Sequence, residues 1–254
     1  MLACDAPEVD PTSVAEGHAT AEVVGEKAAA TAREFVEDQL ASGYGVVFDY
    51  PVGELDGAGR RQRDRWSVLQ EYAAENDWVG VCTTLPDCRH AGVDFHVRGD
   101  ATGRDTAGEQ VYPIAPGRII AIHTRAGDGY PGQAILIEHE TDQGPIYSMY
   151  GHIHVSAGLG VEPAWNQVDR NTVLGTIILW PDHFPLGNSN SHLHFEIRTF
   201  GAFPEHLESR PVTDRDAFPC NSCAVGPGYW LESEGGPAAL GWLDPIQVIE
   251  DSRR

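Results

Sequence analysis

Polar and apolar residues alternate with a period of two through Ser191–Arg198. Leu193, Phe195 and Ile197 fall on one side of that stretch, and His192, His194 and Glu196 on the other. Such alternation predicts a half-buried strand with its apolar side on a core. Similar short runs recur at Arg118–His123, Ala134–Glu140, Ile146–Ile153 and Thr176–Trp180, separated by turn residues such as Gly127–Asp128–Gly129 and Asp142–Gln143–Gly144. Gly45–Pro51 reads as one more strand, stopped by proline. Trp66–Tyr72 fits a short helix and a strand equally well. Strands spaced this way, without helical patterns between them, predict a mainly β, antiparallel core. No internal repeat is apparent.

The ends of the chain differ from this middle. Residues 1–11 are polar and contain proline, the composition of a tether. From Thr12 to about Leu40 the chain turns to Ala, Glu and Val, with Thr12 or Ser13 as a cap and Gly43 as a stop. That pattern predicts a helix with only a ragged apolar stripe. Residues 1–44 are thus expected to be a tether and helical extension, either packed on the domain or acting as a spacer, and residues 45–254 the main domain. Gly201–Gly241 breaks the strand pattern with prolines, glycines and two cysteines, and reads as a loop insertion. Tyr229 and Trp230 within it are candidates for lining a groove, or for covering the core. Trp242–Ile249 returns to the core.

The formal net charge is −21, and Lys27 is the sole lysine among the 17 basic residues. Phosphate backbones repel such a chain, which argues against nucleic acid as a partner. The same charge opposes docking on anionic lipid through a basic patch. No apolar run reaches the eighteen residues of a membrane span. Met1–Leu2–Ala3–Cys4 resembles the end of a lipoprotein processing site, so Cys4 is either a lipid anchor or a chance cysteine. Cys82, Cys88, Cys220 and Cys223 can pair in three ways, of which local pairing is the simplest. Structural disulfides would imply the periplasm or the cell exterior. Cys220–Asn221–Ser222–Cys223 could also serve redox chemistry or a structural zinc, but it lies in a loop and not at a strand-to-helix turn.

Two imidazoles spaced two apart on a strand suit one metal ion, one as ligand and one as proton carrier. Two solvent-facing histidines would look the same. A second cluster, His90–Ala91–Gly92–Val93–Asp94, adds an imidazole and a carboxylate four apart around a glycine. His, Asp and His are good zinc ligands, and three protein ligands leave a position for water, as catalytic zinc sites do. Tyr147–His154 lies between the clusters and offers His152.

His90–Asp94, Tyr150–Gly151–His152 and His192–Leu193–His194, in that order, resemble the three motifs of the lysostaphin/LytM-type zinc metallopeptidases, peptidase family M23. Ala134–His139 and Leu243–Asp244–Pro245 are similar to that family too, and the resemblance covers roughly residues 78–200. It implies a LytM-type antiparallel β-sheet or sandwich, with Zn2+ held by His90, Asp94 and His194. It also implies that His152 and His192 handle protons, one at the attacking water and the other at the oxyanion or leaving amine. The implied reaction is hydrolysis of peptide bonds in the stems or cross-bridges of bacterial peptidoglycan. The alternatives are a catalytically silent relative that binds and activates another wall hydrolase, and a peptidase acting on a protein. Silent relatives usually lack some of these five residues, and this chain keeps all of them. His96, His139 and His154 are expected to be structural or exposed. Trp180–Ser191 departs from the family's glycine-rich turn and is expected to border the cleft.

Overall fold

The computed structural model describes residues 44–74, 88–123, 132–180, 190–199, 201, 229–231, 238 and 241–254, with only the backbone course given for Cys88 and 229–231. The expected N-terminal tether and helix, Cys4, Cys82, Cys220, Cys223 and most of the 201–241 insertion lie outside the described residues. Within them the chain is mainly antiparallel β, as the alternation predicts. The strands are β1 (Trp66–Gln70), β2 (Cys88–His90), β3 (Val93–Val97), β4 (Gln110–Val111), β5 (Gly117–His123) and β6 (Gln133–His139). They continue with β7 (Ile146–Val155), β8 (Gln167–Val168), β9 (Gly175–Ile177), β10 (Leu193–Arg198), β11 (Tyr229–Leu231) and β12 (Trp242–Leu243), before helix α1 (Pro245–Ser252). One sheet runs β1-β3-β10-β7-β6-β5-β8, with β12 on β10 and β9 bridging β4 and β7; β11 and β2 form a separate pair.

β10 is central, flanked by β3 and β7. Leu193, Phe195 and Ile197 enter the main core beside Val93, Phe95 and Tyr150, as the period of two requires. Tyr44, Phe48, Tyr50 and Val52, together with Val248 and Ile249 of α1, belong to the same core. The opposite side of β10 is not the solvated face that alternation suggests. His194, Glu196 and Arg198 are buried as well. A central strand covered on both faces can hold polar groups only if they satisfy one another, and here they do.

Three details differ from the sequence expectation. Gly45–Pro51 forms no strand, although Phe48 and Tyr50 are core and Val46 packs against it; Val47 is exposed. The backbone of this segment is held irregularly, with Asp49 N–H donated to Ile114 O. Trp66–Tyr72 resolves as β1, and the Thr176–Trp180 run shortens to β9. The return to the core contains a helix. Asp244 caps α1 by accepting from the Ile246 and Gln247 amides, and Pro245 occupies its first turn.

Candidate metal centre

β3 and β10 place two of the candidate ligands side by side, because His194 is the register partner of Asp94. His90 reaches them from β2 through the turn at Gly92. A Cβ on Gly92 would lie 2.3 Å from Phe195 O and 2.8 Å from Glu196 Cγ, so only glycine lets this turn lie flat on β10. The His90 backbone is fixed from the other side, donating to Ala74 O and accepting from Ala73 N–H.

The three side chains converge. His90 Nε2 lies 3.0 Å from His194 Nδ1 and 3.2 Å from Asp94 Oδ1, and His194 Nδ1 lies 2.9 Å from Asp94 Oδ1. The far nitrogens set the tautomers. His90 Nδ1 is 3.1 Å from Glu71 O and His194 Nε2 is 2.8 Å from Glu196 Oε1, so each donates its N–H outward. Both inward nitrogens therefore carry lone pairs, and they face each other and a carboxylate oxygen. With both imidazoles neutral that arrangement repels itself, and either a proton on His194 Nδ1, donated to Asp94, or a metal ion among the three relieves it. Donor atoms about 2.0–2.1 Å from a tetrahedral zinc stand about 3.3 Å apart, close to the spacing found. The donor set fits zinc.

His192 stands beside this trio and not within it. Its Nδ1 lies 2.7 Å from Asn190 O, which takes that N–H, and its Nε2 lies 3.6 Å from Asp94 Oδ2. The residue falls just before β10 begins. His152 faces it, with ring centroids 4.8 Å apart at 72°. His152 owes this aim to a bulge. β6 pairs Gln133 with Ile153 and Ile135 with Tyr150, so β7 carries one residue more than its partner there. His152 takes φ +59°, a left-handed conformation rare outside glycine. The structure thus brings all five residues singled out in the sequence into one cluster.

The profile of Peptidase family M23 matches residues 89–206, a span that contains all five. This chain carries an M23 peptidase domain. A search of curated proteins finds no match. Among solved structures, the similar ones include Helicobacter pylori Csd3 (17% identity, 61% of this chain and 32% of that one, TM-score 0.35). A putative glycyl-glycine endopeptidase LytM from Ruminococcus gnavus shows 17% identity over 61% of this chain and 54% of that one, at a TM-score of 0.35. The catalytic domain of the antimicrobial peptidase lysostaphin from Staphylococcus simulans shows 19% identity over 55% and 84%, at 0.36. The chain thus spans about a third of Csd3 and about half of the LytM protein.

Beneath the trio, the M23 domain carries a second layer that motif spacing does not announce. Glu196 Oε1 accepts from His194, while Oε2 accepts from Arg198 Nε and Trp242 Nε1, each at 2.5 Å. Burial opposes the charge on Glu196, but the Arg198 guanidinium and His194 outweigh it and hold the carboxyl at about 2. His194 rises to about 9, since its bonds to Asp94 and Glu196 overcome the cost of burial. Asp94 is held well below the usual carboxylate range, burial being outweighed by His90 and His192. Burial lowers His192, with Asp94 only partly offsetting it. A legible signal existed, in that the polar alternation continues past His194 through Glu196 to Arg198.

Among the described residues, His96, His139 and His154 stay outside the cluster. His154 is exposed and His96 half-buried. His139 is fully buried, with Nδ1 3.0 Å from Pro116 O and Nε2 2.7 Å from Ser148 Oγ.

Proposed function

We propose that this domain is a zinc-dependent endopeptidase that hydrolyses peptide bonds of bacterial peptidoglycan. One observation carries the reading. Two imidazole lone pairs and a carboxylate oxygen converge within 3.2 Å of one another, next to a separate histidine outside the trio. His90 Nε2, Asp94 Oδ1 and His194 Nδ1 would hold the ion. Bound zinc supplies Lewis acidity, polarising a carbonyl and lowering the pKa of water from 15.7 to about 7. The protein supplies the rest. His192 gives its Nδ1–H to Asn190 O, so Nε2 is the atom that accepts a proton. Burial keeps that ring neutral before the transfer, and Asp94 Oδ2 stabilises the imidazolium after it. His152, aimed by its bulge, serves the developing oxyanion or the leaving amine.

The peptidoglycan part of the proposal comes from the motif resemblance and the family match, not from the geometry. The same reading extends to residues 1–44 as a tether and helical extension ahead of a domain at 45–254. It also takes the four later cysteines as disulfides and Cys4 as a lipid anchor, with the domain working in the periplasm or outside the cell. Among the described residues no helix is long and apolar enough to cross a membrane.

The test is mass spectrometry of fragments released from purified peptidoglycan by the full chain, with zinc, with a chelator, and with His194→Ala. The expected result is zinc-dependent release of peptide fragments that the chelator and the substitution both abolish. Stoichiometric zinc without release from any wall preparation would overturn the enzymatic reading in favour of a domain that binds and activates another hydrolase.

A further inference from the structure

We propose that Trp180 is a positioning residue for the His152–His192 pair, an indole plate that fixes both imidazole planes. The proposal rests on the reading of that pair as proton handlers. Trp180 stacks on His192 with centroids 5.4 Å apart at 22°, and meets His152 edge-on at 4.7 Å and 65°. With His152 and His192 4.8 Å apart, the three rings touch one another in pairs. Aromatic pairs in this distance range prefer offset-stacked or edge-on geometry, and both are present.

The backbone around the indole ties it to both histidines. Ile178 N–H donates to His152 O at 2.9 Å, and Trp180 N–H donates to Ser191 Oγ at 3.0 Å, one residue before His192. A three-residue segment therefore bridges the two strand regions that carry the pair. Asn190 O holds one nitrogen of His192, which leaves the ring plane to be set by what stacks on it. His152 and His192 are 6% and 5% exposed, while Trp180, in contact with both rings, is half-buried. Leu179, between the two anchoring amides, is 58% exposed and takes no part. Proton transfer needs its partners held to a fraction of an ångström, and a displacement of 1 Å can cost about a hundredfold in rate.

The experiment compares wild type, Trp180→Ala and Trp180→Phe in the zinc-loaded full chain, by diethyl pyrocarbonate labelling with peptide mapping and by steady-state hydrolysis of peptidoglycan fragments. In Trp180→Ala, labelling of His152 and His192 should accelerate severalfold while zinc stoichiometry stays unchanged. Its kcat should fall about ten- to a hundredfold with KM little altered, and Trp180→Phe should recover most of both. Unchanged labelling of the two histidines in Trp180→Ala would overturn the proposal. So would a raised KM with kcat intact, which would mark Trp180 as a substrate contact instead. If Trp180→Ala does not fold, Trp180→Leu gives the same comparison, since a side chain of that size fills space without stacking. Labelling is independent of turnover, so an inactive wild type would defeat the endopeptidase reading while leaving this one decided by the labelling rates.

Discussion

Glu196 holds His194 to one tautomer and one ring plane, and is itself held by Arg198 and Trp242. Removing its charge while keeping its shape should loosen the metal and not the fold's outline. For Glu196→Gln the expected outcome is a zinc dissociation constant weakened about 10- to 100-fold, the usual cost of losing an outer partner of a ligand. Competition with a chromophoric chelator measures it, and an unchanged constant would show that His194 needs no such support. His152 offers a second residue-scale test. Its left-handed φ is a strain of order 1–3 kcal/mol that the bulge imposes. Glycine adopts that conformation freely and alanine does not. His152→Gly should therefore unfold in urea with about 1 kcal/mol more stability than His152→Ala, at equal slope, although both remove the imidazole. Equal stabilities would mean the strain is absent in solution.

At the scale of elements, β10 shows what alternation can and cannot tell. The period of two assigns Leu193, Phe195 and Ile197 to the core correctly, because side chains on a strand must alternate between faces. It says nothing of what covers the other face, so the burial of Glu196 and Arg198 under Trp242 was not legible. The grouping of His90, Asp94 and His194, proposed here to hold the ion, was legible because the chemistry of His, Asp and His is local to each motif. The helix at Pro245–Ser252 was missed despite an Asp-Pro start, since its run is short and comes directly after the strand at Trp242–Leu243. Gly45–Pro51 misled in the opposite sense, because burial alone makes a run apolar without making it a strand.

The β6–β7 pairing carries a buried polar chain with a pH consequence. Ile114 N–H donates to Tyr150 Oη at 3.0 Å, Tyr150 Oη and Ser148 Oγ lie 2.8 Å apart, and Ser148 Oγ lies 2.7 Å from His139 Nε2. With Nδ1–H given to Pro116 O, the chain is complete only with His139 neutral. Burial pushes His139 from 6.5 down to about 4. The unfolded chain takes up this proton below about 6.5 and the folded one only near 4, so stability is full above that window and falls through it. The loss is of order 3 kcal/mol. Urea midpoints between pH 7 and pH 4 should drop more steeply for wild type than for His139→Gln, and parallel slopes would contradict the assignment.

Across the whole molecule, distant segments meet at Asp49 and at the trio, among other contacts. Asp49, buried, receives Arg60 at 2.8 Å and Arg170 at 2.6 Å, with Arg253 3.5 Å away, which joins the 44–52 segment to the end of α1. At the trio, residues 90, 94 and 194 come together from opposite halves of the described chain. Zinc could instead be drawn to the four later cysteines, and the two sites differ in the atoms they offer. X-ray absorption at the zinc edge of the loaded full chain separates them. The expected spectrum has only nitrogen and oxygen neighbours near 2.0–2.1 Å, one zinc per chain, with imidazole scattering that His194→Ala removes. A sulfur shell near 2.3 Å, or zinc retained unchanged in His194→Ala, would contradict the assignment.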